Sequence, residues 1–430
     1  MDAQANRAVS PPQAAGISMH ARYTVAFLFV LYSLNHLDRH LLAILMEPIR
    51  RELLLSDTQL GVLSGLAFAL FYATLGIPIA RLADFYSRRN IIAAAVAVWS
   101  LMTALCGMAS GFISLLIARI GVGVGEAGGS PPAHSMISDY YPPSRRGAAL
   151  AIYSAGAPVG ILLGLAGGGW LNHVIGWRMA FLLIGVPGIL LALLFFFTVR
   201  EPKRGALDGD AAEEQTGGMA AALRHIWNLK TFRWITFGSA VHAICAYGVV
   251  QWYPSYIIRV FGLSTNEVGL TLGLLIGTTG FIGTLAGGYL SDFLGKRDPR
   301  WYQFVPALAI GICIPFYAIS FHAPSVVLAL TFFLVPMTLA NVFTGPSFAT
   351  IQSISPVHSR AIACSFYLFI LNLIGLGAGP SLVGVASDML QPAYGNDALR
   401  WALSLLIVAE FVAVYCFIRA ARSMAAEYRG

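Results

Sequence analysis

Four ionisable residues lie within stretches of the sequence that are otherwise apolar. Asp38 and Arg39 are adjacent in LFVLYSLNHLDRHLLAILM, and Arg119 and Glu126 lie in LLIARIGVGVGEAGG. An ionisable side chain at membrane depth costs roughly 2.5–3.5 kcal/mol on insertion scales, so it is seldom kept without a use. These residues predict a proton relay or a path for a polar substrate, with a static ion pair that fixes helix packing as the alternative.

The spacing of the second pair predicts that both side chains face the same way. Arg119 and Glu126 are seven residues apart, which on a helix places them about 10 Å apart along the axis. Glycines between them would let a neighbouring helix, such as the first one, approach closely and bring Asp38 within reach. A carboxyl group whose arginine partner is present in one conformation and absent in another would bind a proton in one and release it in the other.

Each of the four residues is given a predicted role. Asp38 is the proton carrier, and Arg119 is the charge that tunes it. Glu126 is a second titrating or substrate-sensing carboxylate. Arg39 lies about 100° around the helix from Asp38, where it can hold an anionic headgroup or pair with Glu126.

Composition indicates a membrane protein. Of the 430 residues, 57% are hydrophobic and only 11% are charged, whereas soluble proteins carry about 25% charged residues. The net charge of +7 does not indicate nucleic-acid binding, because the lysines and arginines cluster in short loops between apolar runs. The 5 cysteines fall in apolar stretches without metal-ligand spacing, so we expect buried thiols, no metal site and no disulfide framework.

Twelve apolar segments are each long enough to span a bilayer, which needs about 20 residues. Helices satisfy their backbone hydrogen bonds within lipid, so the predicted fold is an all-α membrane protein with 12 transmembrane helices in two pseudo-symmetric bundles of six. We expect a flexible N-terminus over 1–21, bundles over 22–199 and 232–420, a linker over 200–231 and a tail over 421–430. Within the linker, Met219–Trp227 is predicted to be a short amphipathic helix at the membrane surface.

The distribution of basic residues predicts the orientation in the membrane. Arginines and lysines concentrate in the loops on one side of the predicted spans, and this side is expected to be cytoplasmic. Both termini would then lie in the cytoplasm. No cleavable signal peptide is evident and no N-x-Ser/Thr sequon occurs, which favours the inner membrane of a bacterium.

A loop motif is repeated in the two halves. ARLADFYSRRN (80–90) follows the second predicted helix, and GYLSDFLGKRD (288–298) follows the eighth. In each copy two basic residues follow an acidic one at four and five positions, which supports a duplicated bundle. We expect each acidic side chain to face a helix N-terminus of the other half and to close the cytoplasmic side, with a topology signal plus helix capping as the alternative. The predicted cytoplasmic gate consists of Asp84, Arg88, Arg89, Asp292, Lys296 and Arg297.

These motifs resemble those of the major facilitator superfamily. RIGVGVG (119–125) is similar to its motif on the fourth helix, and GAPVGILLG (156–164) is similar to its motif on the fifth. The first loop motif departs from the superfamily pattern at Ala80, Phe85 and Ser87, and Phe85 weakens one expected loop ion pair. The resemblance covers nearly the whole chain and implies a 6+6 major facilitator fold.

Within that superfamily the chain resembles the Spinster family. The resemblance rests on NHLDRHLLAIL (35–45) and on the stretch from RIGVGVGEAGGSPPAHS to GAPVG. Animal members export lysolipids and sphingoid phosphates, and the resemblance implies a bacterial, proton-coupled relative in which Asp38, Arg119 and Glu126 couple the proton. The anion:cation symporters for sugar acids share these charges, but they read Phe-Pro-Gly where this chain has Gly-Gly-Ser-Pro-Pro over Gly128–Pro132.

Polar side chains on other predicted helices could line a central cavity, although each is more often a helix–helix hydrogen bond. His242 and Gln251 are such candidates, and Glu410 is predicted to pack or to reach the membrane surface. The predicted substrate-binding residues are Arg39, Glu126, Tyr153, Tyr247, Asn341, Tyr367 and Asn372.

Two transport hypotheses follow from these features. The first is a secondary active transporter that works by alternating access and moves an amphiphilic lipid-like molecule of lysolipid or sphingoid type, with the proton as coupling ion and no other cofactor. The alternative is a proton symporter of small organic anions such as sugar acids. An enzyme or an ATP-driven pump is not indicated, because no G-x-x-x-x-G-K-Ser/Thr, H-E-x-x-H or G-x-S-x-G motif occurs. We expect a monomer in the lipid bilayer, without a nucleic-acid partner.

Overall fold

The computed structural model describes residues 17–205, 219–356 and 359–427, and the regular elements in these ranges are helices. The first helix, α1, begins at Met19, where the Ser18 hydroxyl accepts a hydrogen bond from the amide of Ala21. This helix therefore includes the last residues of the segment predicted to be flexible, 1–21. Residues 1–16 of that segment lie outside the described ranges.

Several helices of the first half are interrupted where the sequence predicts one continuous span. The chain breaks at Gly65 within the second predicted span, 59–83, and at 127–129 within the fourth, 112–138. At Gly176 the φ angle is 80°, a left-handed value that glycine adopts readily, and this separates the fifth span from the sixth. The helices are α1 (Met19–Leu53), α2 (Asp57–Ser64), α3 (Leu66–Phe85), α4 (Arg88–Cys106), α5 (Phe112–Glu126), α6 (Ser130–Tyr140), α7 (Pro143–Ser154), α8 (Gly156–Leu162), a π-helical turn (Leu163–Gly167) and α9 (Gly168–Thr198).

The second half begins with α10 (Met219–Asn228), which is the short helix predicted within the linker 200–231. The last helix continues to Glu427, so most of the tail predicted over 421–430 is helical. The further elements are α11 (Lys230–Phe261), α12 (Thr265–Gly295), α13 (Trp301–Phe321), α14 (Val326–Leu339), α15 (Thr344–Ile354), α16 (Arg360–Leu371), a π-helical turn (Asn372–Leu376), α17 (Gly377–Tyr394), a 3-10 turn (Gly395–Asp397), α18 (Ala398–Leu405) and α19 (Ile407–Glu427).

The two halves share their irregularities as well as their helices. The break between α5 and α6 in the first half corresponds to the break at 340–343 between α14 and α15 in the second. The π-helical turn after α8 likewise corresponds to the π-helical turn after α16. Wide helical turns and breaks leave backbone groups available to side chains, and they recur at functional sites. Their repetition supports the predicted duplication.

Eight helical stretches within the described residues are long and apolar enough to cross a membrane. Two of these, Pro143–Thr198 with 56 residues and Ile362–Met424 with 63, are each long enough for more than one crossing. The helices α1 and α11 are not among the eight. Several apolar helices are therefore established, and the number of 12 crossings stays a prediction.

A row of glycines brings α8 and the following π-helical turn against α1. Gly156, Gly160 and Gly164 face backbone carbonyls of α1 so closely that a Cβ atom at any of them would collide with the α1 backbone. Small residues at every fourth position permit this close approach of two helix backbones. The row fixes the face of α1 that lies next to Asp38.

The two halves are joined by ion pairs at one end of the bundle. The guanidinium group of Arg259 in α11 donates to Glu47 Oε2 in α1 at 2.6 Å and to both carboxylate oxygens of Asp57 in α2 at 2.6 and 2.7 Å. The carboxylate of Asp388 in α17 accepts hydrogen bonds from the backbone amides of Asp57 and Thr58 at the start of α2, at 3.0 and 2.7 Å. We call Glu47, Asp57, Arg259 and Asp388 the junction.

The predicted gate residues lie at the opposite end, where the contacts found among the described residues stay within one half or reach the linker. Arg88 is buried and binds Asp139 and Glu201, which belong to the first half and to the start of the linker. The side chain of Asp84 is exposed, and the carboxylate of Asp292 accepts a hydrogen bond from the Tyr302 hydroxyl of its own half. In this conformation the ion pairs that join the halves lie at the junction, and the expected contact of the gate residues with the other half stays a prediction.

The other basic gate residues make local contacts. The side chain of Arg89 bonds Asn90 and lies over Phe196, and that of Arg297 lies over Phe293. Lys296 is exposed. A gating role of these loops therefore remains a prediction for a second conformation.

We predict that Arg259→Gln opens the junction, because it leaves the buried carboxylate of Glu47 and the carboxylate of Asp57 without their shared cation. Spin labels at Leu54→Cys and Asn396→Cys, in a Cys364→Ser background, report the separation of the halves at this end. We expect a population longer by about 5 Å or more, the scale of helix rearrangements in switching proteins. The other four cysteines are buried and should not take the label.

Arg178→Gln is the matched control for this measurement. Arg178 lies at the same end and loses the same charge, but its partners Glu52, Gly107 and Ala109 belong to its own half. The distance distribution should not change in this variant. Equal distributions in the wild type and Arg259→Gln would contradict a latching role for the junction.

Candidate functional site

A cavity of about 290 Å³ lies between the two halves, next to α1. One wall comes from the first half and carries two imidazoles and a guanidinium group. The other wall is mostly apolar and carries two amides and a tyrosine. The lining includes His36, Arg39, His40, Ile161, Ala243, Ala246, Tyr247, Val250, Gln251, Ile276, Gly280, Met337, Ala340, Asn341, Phe343, Leu371 and Leu376.

Arg39 connects the cavity to the buried charges behind it. Its Nε donates to Glu126 Oε2 at 2.6 Å, and the side chain of Glu126 has no exposed surface. The guanidinium carbon of Arg39 lies 4.8 Å from the ring centre of Phe68 and 4.6 Å from that of Tyr72. Such contacts stabilise a cation where little water is available. Of the two partners predicted for Arg39, the structure contains the Glu126 pair.

Asp38 lies on a different face of α1 and is fully enclosed. Its carboxylate accepts a hydrogen bond from the Thr103 hydroxyl at 2.8 Å and one from Arg119 at 3.3 Å. The side chains of Asp38 and Arg119 are 1% and 2% exposed. The predicted approach of Asp38 to Arg119 is therefore present, and it links α1 with α4 and α5.

Two polar atoms in this cluster lack a partner among the described residues. They are Arg119 Nε and Glu126 Oε1, both buried. A buried polar atom without a hydrogen bond is costly, which marks sites where a different arrangement is available. Both residues belong to α5, so the two unpartnered atoms lie on one helix.

The glycines of α5 pack against α3 and α4, although the sequence predicts the first helix there. A Cβ atom on Gly123 would collide with Phe68 of α3, and Cβ atoms on Gly121 and Gly125 would collide with Met102 and Trp99 of α4. The small-residue face of α5 thus packs on α3 and α4, whereas α1 was expected there. Asp38 still reaches Arg119 because α1 crosses beside Thr103 of α4.

Four of the predicted residues line the cavity, namely Arg39, Tyr247, Gln251 and Asn341. Others lie elsewhere. The Tyr153 ring stacks on Tyr32 at 4.4 Å and its hydroxyl donates to Ser130. Within the described residues, Tyr153 belongs to a separate small pocket of about 20 Å³.

The remaining polar candidates lie within the second half, away from the cavity lining. Tyr367 is fully buried and its hydroxyl donates to Ser239 at 3.0 Å. Asn372 begins the π-helical turn after α16 and is not among the residues that line the cavity. His242 and Glu410 are both fully buried and bind each other, so Glu410 packs in the core and does not reach the membrane surface.

Sequence reasoning missed His36 and His40, which line the cavity on either side of Arg39. Each Nδ1 donates to a backbone carbonyl one turn earlier, His36 to Tyr32 at 3.2 Å and His40 to His36 at 2.9 Å. A carbonyl can only accept, so the hydrogen sits on Nδ1 and Nε2 is left for the cavity. Their spacing of three and one from Arg39 places the three side chains on one helix face, which is the signal that could have found them.

Among the described residues that line the cavity there is no carboxylate. Arg39 can therefore attract an anion, and the two imidazole Nε2 atoms and the two amides can bond hydroxyl or phosphate oxygens around it. The apolar wall can cover a hydrocarbon part. A substrate suited to this cavity has an anionic, hydrogen-bonding head, and part of its surface is apolar.

Comparison with known proteins agrees with this architecture. The family model of the Major Facilitator Superfamily matches residues 28–380. An MFS-type efflux pump of Mycolicibacterium smegmatis is 33% identical over 421 residues, 95% of this chain and 96% of that protein. The hexuronate transporter of Bacillus subtilis is 28% identical over 399 residues, 90% of this chain and 94% of that protein.

A solved structure supports the resemblance to the Spinster proteins. It is a bacterial homolog of the human lysosomal transporter Spinster, in an inward-facing and unoccupied conformation. Its sequence identity is 31% and its TM-score is 0.89, with 96% of this chain and 100% of that chain covered. The resemblance predicted from the sequence is confirmed. The chain is a multi-pass membrane transport protein, and it belongs to the major facilitator superfamily.

Proposed function

We propose that this chain is a proton-coupled secondary active transporter that moves an amphiphilic molecule with an anionic head, of lysolipid or sphingoid type. The observation that carries the proposal is the position of Arg39. It lines the cavity, and the same guanidinium group binds the buried Glu126. A substrate anion that binds Arg39 must therefore compete with a carboxylate of the protein.

Competition for Arg39 couples substrate to proton. When an anion draws Arg39 into the cavity, Glu126 loses its partner in a dry environment, where an unpaired charge is strongly unfavourable. Arg119 lies on the same helix and has an unpartnered Nε, so it can turn from Asp38 to Glu126. Asp38 then takes up a proton and keeps its hydrogen bond with Thr103. Charge neutrality in the core is preserved by one proton for one anion.

Alternating access follows from the two ends of the bundle. In this conformation the ion pairs of the junction join the halves at one end, and the described contacts of the motif loops at the other end reach the linker or stay within one half. We propose that the motif side is cytoplasmic, as the basic residues predict, which makes this the inward-open conformation. In the outward-open conformation the junction breaks and the gate residues meet, with protonation of Asp38 favouring one of the two. We also propose a monomer in a bacterial inner membrane with both termini in the cytoplasm.

Small organic anions such as sugar acids are the second candidate substrate. The polar groups of the cavity favour them, since Arg39 and two imidazoles on one wall face two amides on the other and match a polyhydroxylated acid. The 28% identity to a hexuronate transporter points the same way. The apolar wall, with Val250, Ile276 and Leu376 among its members, favours the amphiphile.

Transport in liposomes distinguishes the two candidates. With a pH gradient imposed, headgroup-labelled lysophosphatidate and glucuronate are offered separately and in competition. We expect gradient-driven movement of lysophosphatidate, with weak or no accumulation of glucuronate, because the apolar wall stabilises the acyl chain. Accumulation of glucuronate without movement of lysophosphatidate would replace the first candidate by the second.

The variant Asp38→Asn tests the proton carrier. Its amide oxygen can still accept from Thr103, but the side chain no longer takes up a proton, so gradient-driven accumulation should fall at least about tenfold. Exchange of labelled for unlabelled probe at equal pH should persist. Glu52→Gln is the matched control. Glu52 is an acid of the same helix, and its carboxylate binds Trp177 and Arg178 at the junction end of the bundle. Undiminished accumulation by Asp38→Asn would remove Asp38 from the coupling mechanism.

A further inference from the structure

A second buried acid–base pair lies in the second half, away from the charges around Asp38. His242 Nδ1 in α11 is 2.8 Å from Glu410 Oε2 in α19. Its Nε2 is 2.9 Å from the backbone carbonyl oxygen of Ala340. The side chains of His242 and Glu410 have no exposed surface. The proposed transport mechanism does not use this pair.

The pair compensates for the helix break at 340–343, between α14 and α15. In a continuous helix the Ala340 carbonyl would accept the amide of Thr344, but that amide donates to Asn341. The imidazole of His242 supplies the missing donor. The helix therefore breaks at 340–343 while the Ala340 carbonyl keeps a hydrogen-bond donor, as a buried backbone group requires.

The hydrogen bond between Glu410 and His242 and the one between His242 and Ala340 each require a hydrogen atom. One must lie between the Ala340 oxygen and Nε2, and the other between Nδ1 and Glu410 Oε2. Either an imidazolium with a carboxylate or a neutral imidazole with a carboxylic acid supplies both. If one proton leaves, a single hydrogen remains for two contacts, and the pair gains a negative charge in a dry core.

Few groups near the pair could replace the lost proton. The titratable side chains that face it are the thiols of Cys245 on α11 and Cys313 on α13 and the phenol of Tyr317 on α13. From the break at 340–343, the apolar ring of Phe343 faces the pair, with its centre 4.9 Å from the centre of the His242 imidazole. On α19 the facing group is Glu410 itself. Among their described partners there is no lysine or arginine.

The break that this pair supports forms part of the cavity wall. Ala340, Asn341 and Phe343 line the cavity, as does Ala243, which follows His242. On its other side, the break packs on α12, where Gly283 and Gly287 leave no room for a Cβ atom against Thr338 and Val342. The first half has a corresponding break directly after Glu126. In both halves, then, a buried carboxylate lies beside the broken span.

We propose that His242 and Glu410 form a second proton-binding site, whose proton holds the break at 340–343 in the shape that lines the cavity. With the proton bound, both contacts exist and the wall is ordered. Without it, either the Ala340 carbonyl or Glu410 loses its partner, and the break loosens. The proposal concerns the second half alone and does not depend on the identity of the transported molecule.

Hydrogen–deuterium exchange of the peptide Met337–Ser347, in the full-length protein and across a pH series, tests this site. Rates are corrected for the intrinsic pH dependence of exchange. In the wild type the corrected rate should be lowest at low pH and rise about tenfold per pH unit until the deprotonated form predominates, because the deprotonated fraction grows in that proportion.

The variant Glu410→Gln should abolish this rise. An amide at 410 donates to Nδ1 while the neutral imidazole donates from Nε2 to Ala340, so both contacts hold at every pH. Glu427→Gln is the matched control on the same helix, since Glu427 caps α11 through the amides of Lys230 and Thr231, and it should keep the wild-type profile.

Two outcomes would overturn the proposal. One is a flat corrected profile in the wild type, which needs no variant to interpret. The other is a rise that persists in Glu410→Gln. If that variant is not recovered from membranes, His242→Gln serves instead, and a wild-type rise in it would equally overturn the proposal.

Discussion

The structure depends on the pairing of charges in a core that excludes water. Asp38 with Arg119 and Arg39 with Glu126 place two acids and two bases between α1 and α5, and the four are balanced. Breaking such a pair by removing one partner typically costs about 3–5 kcal/mol, because the other charge is left buried and alone. If a ligand draws one of the four out of its pair, the charge left behind must therefore be compensated by another of the four or by a proton. A transporter needs this property to link two solutes.

The surrounding helices are arranged so that one member of the cluster meets the cavity. Glycines of α8 bring that helix against α1, and glycines of α5 admit Phe68 and Trp99. As a result Asp38 is enclosed, while Arg39 lines the cavity with its charge stabilised by aromatic rings. The junction at the far end holds the two halves together through ion pairs, which can exchange with water when that end opens. Hydrophobic packing alone would give no such reversible, charge-dependent contact.

Much of this could be predicted from the sequence, and the remainder depended on information that a sequence does not carry. Apolar lengths and repeated loop motifs predict the helices and their duplication, and acids and bases in apolar helices are conspicuous. The choice of Glu126 as partner of Arg39 was left open, because side-chain direction depends on how α1 and α5 cross. The gate residues were expected to face helix N-termini of the other half, and a sequence does not state which contacts a given conformation contains. His36 and His40 share a helix face with Arg39, but whether that face lines a cavity depends on how the helices pack. His242 and Glu410 are 168 residues apart, so their pairing is not visible in the sequence.

The central claim is that binding an anion at Arg39 draws a proton into the core. Calorimetric titration of lysophosphatidate into the purified protein, repeated in two buffers of different ionisation enthalpy, counts the protons taken up on binding. We expect uptake of about one proton per bound anion, and none in Asp38→Asn. Binding whose enthalpy is the same in both buffers would contradict the account.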